Sequence, residues 1–286
     1  MSSLSHYTRR KWMNRWMCTF LFLMTVSALY PLCSVFLYLF SQGASTLNWD
    51  FFTQIPKPVG EVGGGMANAL VGTATLVGLA SLIGVPWGVG AGMYLSEYGK
   101  FRPKTASFIR FSIDILVSMP SIIIGLFVYV ILVMRMKRFS ALAGGVALGI
   151  LMIPTIARST EEFLKLVPSH IREAGLALGL PRWKVTLRII LRGSLGAIMT
   201  GVVLAIARAS GETAPLLFTA FNNRFWNRGL DQPIASLPVQ IYTYAISPYE
   251  DWQKQAWAGA LVLLGFVFTV NFFTRLLLLK SRRSIE

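Results

Sequence analysis

An all-α, polytopic membrane protein with six transmembrane helices is the fold class this sequence predicts. Three observations lead there. Apolar runs long enough to cross a hydrocarbon core, about 20 residues each, recur along the chain. Of the 286 residues, 54% are hydrophobic and 14% charged, a balance outside that of an ordinary soluble domain. Basic residues crowd the segments on one side of those runs, so the net charge of +15 reads as positive-inside asymmetry. No recognition motif for nucleic acid accompanies that charge, and nucleic-acid binding is set aside.

The six runs cover residues 17–40, 66–95, 108–134, 139–157, 193–220 and 256–279. They form one transmembrane domain over 17–279, between an N-terminal tail, 1–16, and a C-terminal tail, 280–286. The first run is longer than the 7–15-residue apolar core of a secretory signal, and no small-x-small site follows it; it is expected to be a retained span. The third and fourth runs are separated only by Arg135-Met136-Lys137-Arg138. With both termini in the cytoplasm, 19 Lys and Arg residues fall on that side and 7 on the other, with Arg208 left inside the membrane. The cluster of Arg135, Lys137 and Arg138 is a local exception that the sequence does not explain. Cys18 and Cys33 are too few for a disulfide framework and read as packing residues. His6 and His170 lie far apart, and no metal-ligand spacing occurs.

Pro31, Pro86, Pro120, Pro154 and Pro215 lie inside apolar runs. Each removes a helical hydrogen bond, and either a simple kink or a broken helix lining a substrate path satisfies the pattern. Gly72, Gly78, Gly84, Gly88, Gly90 and Gly92 in the second run point to close helix packing. No G-x-x-x-x-G-K-[ST] segment is present, so any ATP that drives this protein must bind another subunit.

Residues 158–192 form a connection far longer than the usual helix–helix link. Pro168-Ser169 marks a helix start with Ser169 as cap. Ile171, Ala174, Gly175 and Leu178 share a face. Gly179 stops that helix, and Pro181 opens a basic one with Arg182, Lys184, Arg188 and Arg192. Such an element either lies on membrane lipid or enters a groove on a partner; periodicity leaves both open.

The run Ala207-Arg208-Ala209-Ser210-Gly211-Glu212-Thr213-Ala214-Pro215 places a cation and an anion inside the fifth apolar run. A charge at the bilayer centre costs about 2.5–3.5 kcal/mol on insertion scales, so such residues face a protein interior or a wet pathway. Arg208 and Glu212, four apart, share a face of a continuous helix, with Arg208 near the middle of the run. Asp114 either pairs with Arg110, one helical turn before it, or flanks the pathway, and the structural pairing is the expectation.

Glu173-Ala174-Gly175, Gly179, Ile189 and Leu191 resemble the E-A-A–x3–G–x9–I–x–L–P signature of ABC-importer permeases, with Gly175 at the second alanine and Arg192 at the proline. Ala91-Gly92-Met93-Tyr94-Leu95-Ser96-Glu97-Tyr98-Gly99 is similar to the G-I-Y-L-x-E-Y-G segment of the phosphate-import permeases. Ser210-Gly211-Glu212-Thr213-Ala214-Pro215-Leu216 resembles their most characteristic block. Phe218-Thr219-Ala220-Phe221-Asn222-Asn223 and Pro233-Ile234-Ala235-Ser236-Leu237-Pro238 resemble the A-type subunit. The resemblance implies a type I ABC-importer permease, not itself an enzyme, in a bacterial inner membrane. It implies a C-type permease partner, two copies of a cytoplasmic ATPase subunit that uses ATP and Mg, and an external phosphate-binding protein. It also implies that Glu173, Ala174, Gly175 and Gly179 belong to a coupling helix docked on the ATPase, and that this chain binds no cofactor of its own. Inorganic phosphate would meet Arg208, whose guanidinium matches its oxygens in paired hydrogen bonds. Glu212 would neutralise Arg208 in the empty path, and the Ser210 and Thr213 hydroxyls either donate to phosphate or bond the local backbone.

Overall fold

A computed structural model describes residues 2–61 and 63–283. Residues 284–286 of the expected C-terminal tail lie outside the described residues, as do the side chains of His6, Arg275, Lys280, Arg282 and Arg283. The described regular structure is helical throughout: α1 (Ser2–Gly43), α2 (Trp49–Thr53), α3 (Ala67–Met93), α4 (Pro103–Ser118), α5 (Ser121–Val128), α6 (Met134–Met136), α7 (Ala141–Lys165), α8 (Ser169–Ala177), α9 (Arg182–Lys184), α10 (Leu191–Ser210), α11 (Ala214–Thr219), α12 (Leu237–Ala245) and α13 (Glu250–Arg283). Wide π turns extend α3 through Tyr98, join α5 to α6, and join α9 to α10 without a break.

Packing of α3 on α7 organises the molecule. A Cβ at Gly84 would come within 2.8 Å of the Met152 Cβ, one at Gly88 within 2.7 Å of the Ile156 Cβ, and one at Gly92 within 2.5 Å of the Thr160 Cβ. The glycine stripe therefore serves backbone approach, as expected of small residues at helix contacts in lipid. The register rises together on both helices, so α3 and α7 run parallel. The chain between them must return across the membrane, and only α4 to α6 can carry it. Among the described residues, five helices are each long and apolar enough to span, and the bent pair of α4 with α5–α6, counted as one span, makes six.

That pair decides between the two readings of Pro120 in favour of a broken helix, with a bend of 105° between its halves. Met119 is extended, as a residue before proline prefers, and Pro120 precedes the first turn of α5. Pro215 likewise sits in the first turn of α11, where a missing N–H costs little. Pro31, Pro86 and Pro154 lie within continuous helices. Ser140 caps α7 by accepting from the Ala143 N–H at 3.1 Å.

The principal core gathers Leu76, Leu148, Met152, Ile156, Ile198, Val202 and Leu216 from α3, α7, α10 and α11. Helix α1 stands outside it and meets α13 near its end, where Tyr38 packs edge-on against Trp257 at 5.2 Å. Cys18 and Cys33 are exposed on α1. They are not packing residues of this chain, because the stretch of α1 around them, through Tyr38, is exposed.

Candidate transport site

The fifth apolar run is two helices rather than one. Helix α10 ends at Ser210, and α11 begins at Ala214. Gly211 to Thr213 make the break, with the Gly211 N–H donating to the Arg208 carbonyl at 3.1 Å and the Glu212 N–H to that of Ala209 at 3.2 Å. Arg208 and Glu212 therefore do not share a face of one continuous helix. The turn at Gly211 brings them together instead, with Arg208 Nε 3.6 Å from Glu212 Oε1.

The height of Arg208 follows from packing. A Cβ at Gly201 would lie 2.5 Å from the Ser159 Cβ, and one at Gly144 would lie 3.2 Å from Leu216 Cδ2. The Cβ at Gly144 would also lie 2.9 Å from the Ala220 Cβ, and these contacts climb in opposite senses, so α10–α11 runs antiparallel to α7. Arg208, seven residues past Gly201, is level with about Met152, near the middle of α7. Its side chain is 60% exposed and that of Glu212 17%. The guanidinium thus stands at half height, open on one side and facing a carboxylate on the other. Past the helix break α5 meets α11, where a Cβ at Gly125 would come within 2.6 Å of the Pro215 Cα.

Of the two hydroxyls, Ser210 is buried and donates to the Ile206 carbonyl at 2.8 Å, which places it in local backbone bonding. Thr213 is partly buried and makes no side-chain capping bond to α11, which leaves it beside the Arg208–Glu212 pair.

The long loop is shorter than the 158–192 segment read from hydropathy, because α7 continues to Lys165 and α9 leads directly into α10. A separate basic helix does not form: Arg182, Lys184 and Arg188 belong to a 29-residue helical arm, Arg182–Ser210. Helix α8 forms as expected, but Ser169 is its first helical residue and provides no side-chain cap. Gly175 is buried against Val185 and Ile189, while Ala174 and Leu178 face outward with Glu173. Gly179 turns the chain at φ +77°, the left-handed conformation that glycine takes at a helix end.

Long-range ion pairs hold this region, and sequence spacing missed them. Arg172 binds Glu97 from the end of α3, with Nη2 2.7 Å from Oε1, and donates to the Leu164 and Val167 carbonyls. Arg110 pairs with Glu161 at 2.8 Å, not with Asp114, and Lys165 joins it at 2.6 Å. Asp114 pairs with Arg158 instead. Helix α4 lies along α7, so partners across the contact outcompete the neighbour one turn away. A cavity of 730 Å³ opens between these elements, lined by Glu97, Tyr98, Arg110, Lys165, Arg172 and Arg182 among others. Arg138 pairs with Asp231 at 2.8 Å at the opposite end of the molecule. That contact explains part of the basic cluster at 135–138.

Among the described residues no group of His, Cys, Asp and Glu is placed to hold a metal. Residues 84–283 match the family described as binding-protein-dependent transport system inner membrane component. The phosphate transport system permease protein PstA of Haemophilus influenzae is 47% identical over 93% of this chain and 94% of its own. The protein of the same name from Xylella fastidiosa is 48% identical over 85% of each. PstA 1 of Mycobacterium tuberculosis is 35% identical over 92% of this chain and 88% of its own. Among solved structures, the inward-facing MetNI methionine ABC transporter superposes with a TM-score of 0.58 at 19% identity, covering 74% of this chain and 91% of that one. An amino acid ABC transporter follows with a TM-score of 0.51 at 16% identity, covering 76% and 92%. The chain belongs to the binding-protein-dependent transport system inner membrane components, and its relatives place it among the PstA permeases.

Proposed function

We propose that this chain is the transmembrane permease subunit of an ATP-driven importer of inorganic phosphate and forms half of its translocation pathway. One observation carries the reading at residue level: the accessible Arg208 guanidinium at half height, at a helix break, opposed by Glu212. A fixed cation there attracts the phosphate anion, while the nearby carboxylate competes for the guanidinium and limits how tightly phosphate is held. Passage needs binding strong enough for admission and weak enough for release. Thr213 is a further hydroxyl donor at the break.

The basic face lies in the cytoplasm of a bacterial cell, and the membrane is the inner one. Helix α8, with Glu173 outward and Gly179 ending it, docks on an ATPase subunit that binds ATP and Mg. A C-type permease completes the pathway, and an external phosphate-binding protein delivers the ion.

Reconstitution with these partners tests the reading through ATP-dependent uptake of labelled phosphate. Arg208→Gln is expected to abolish uptake while the complex still assembles. Normal uptake by that variant would overturn the pathway role. Competition by arsenate but not by sulfate or molybdate is expected of the phosphate assignment.

A further inference from the structure

We propose that Arg158 forms a second anion station on the side of the α7–α10 contact that bears Arg208, nearer the basic face, with Asp114 as its counter-charge. The inference rests on the reading of Arg208 as the first station and extends it along the path.

Placement on α7 carries the argument. Ser159 meets Gly201 of α10, and Glu161 meets Arg110 of α4. At about 100° per residue, Arg158 projects between those two directions, into the space separating α10 from α4. Arg208 lies two turns beyond Gly201 on α10 and so projects toward the same side of that contact. The two guanidinium groups thus stand on the same side of the α7–α10 contact. Arg208 is level with about Met152, which sets Arg158 about 9 Å closer to the basic face along the helix axis.

Exposure separates this pair from the neighbouring ion pairs. The carboxylates of Glu161 and Glu97 are held at 10% exposure among their partners, as in helix ties. Arg158 and Asp114 are 49% and 60% exposed, with the Arg158 Nη2 in contact with Asp114 Oδ1. Arg158 shares an open guanidinium with Arg208, and its carboxylate partner, which an arriving anion must displace, is more exposed than Glu212. A guanidinium presents a planar fork to two phosphate oxygens and keeps its charge at any working pH. Two such forks at different heights let phosphate exchange one for the other without returning to bulk water. Each carboxylate recovers its guanidinium once the ion has left.

The test uses the complete reconstituted importer carrying Cys18→Ser and Cys33→Ser, with Arg158→Cys added. Uptake turnover is expected to fall about tenfold or more, the loss of one charge-assisted interaction. Aminoethyl methanethiosulfonate, which restores a positive charge at that position, is expected to recover at least half of the lost uptake. The anionic sulfonatoethyl reagent is expected to recover none, and phosphate is expected to slow labelling by both. A purely structural tie to Asp114 would also follow the sign of the attached charge, so the protection of the cysteine by phosphate separates the two roles, and labelling indifferent to phosphate would overturn the second station. Equal effects of the two reagents, no labelling of the cysteine, or full uptake by unmodified Arg158→Cys would each overturn the second station. Full uptake here beside abolished uptake in Arg208→Gln removes this station alone; full uptake in both variants removes the first one as well.

Discussion

In the proposed pathway Arg208 and Glu212 divide the work of a single site between attraction and release. If the carboxylate limits how firmly phosphate is held, Glu212→Gln should lower the phosphate concentration for half-maximal occupancy and also lower turnover. Direct binding together with single-turnover uptake would check both signs; weaker binding in this variant would contradict the competing role. Arg208→Lys should retain measurable uptake below the parent level, since a point charge remains but the planar fork is lost. Spacing alone identified Arg208 and Glu212, because a charge in an apolar run is conspicuous in one dimension. The same logic misassigned Asp114 to Arg110. Its partner, Arg158, is 44 residues away and comes into reach only when α4 lies along α7.

At the scale of elements, the α3–α7 contact is the frame against which everything else is placed. Gly88→Leu would drive its side chain into Ile156 and Ile153, where even a Cβ lies within 3.1 Å of the neighbouring atoms. Overpacking of this kind costs about 1–3 kcal/mol. The expected outcome is a lower midpoint of detergent-induced unfolding and reduced membrane abundance, whereas Gly90→Leu, with open space at its Cβ, should leave both near the parent values. The contrast was not available from the glycine pattern, because both residues belong to the same dense run. The break at Gly211–Thr213 was legible as one of two readings of Pro215. The structure decides for the break, since Pro215 begins a new helix.

For the whole molecule, the proposed working parts lie at two levels: the Arg208–Glu212 pair at half height and helix α8 on the basic face. They are joined by the continuous arm Arg182–Ser210 and by Arg172, which ties α8 to the end of α3. Gly179→Trp forces an L-residue into a left-handed position at a cost of about 1–2 kcal/mol and places bulk beside the docking helix. Glu173→Arg reverses the charge on its outward face. Both should assemble into the complex yet lose phosphate transport and the ATPase stimulation produced by the binding protein. Unchanged stimulation in Gly179→Trp would count against docking through α8. Arg172→Gln should produce the same uncoupling by loosening α8 from α3, with the Arg208–Glu212 pair untouched.

Amino-acid sequence alone determined that this chain lives in a membrane, how many apolar runs it offers, and that Arg208 and Glu212 stand where charge is costly. These are properties of composition and local spacing, which water and lipid enforce on each segment separately. Tertiary structure decided that α3 and α7 run parallel, that the third and fifth runs are broken, and that Arg158 faces Asp114 while Arg110 faces Glu161. Those outcomes depend on which helix packs beside which. Contacts between residues dozens of positions apart have no periodicity of their own, so they emerge only when close packing brings the helices together.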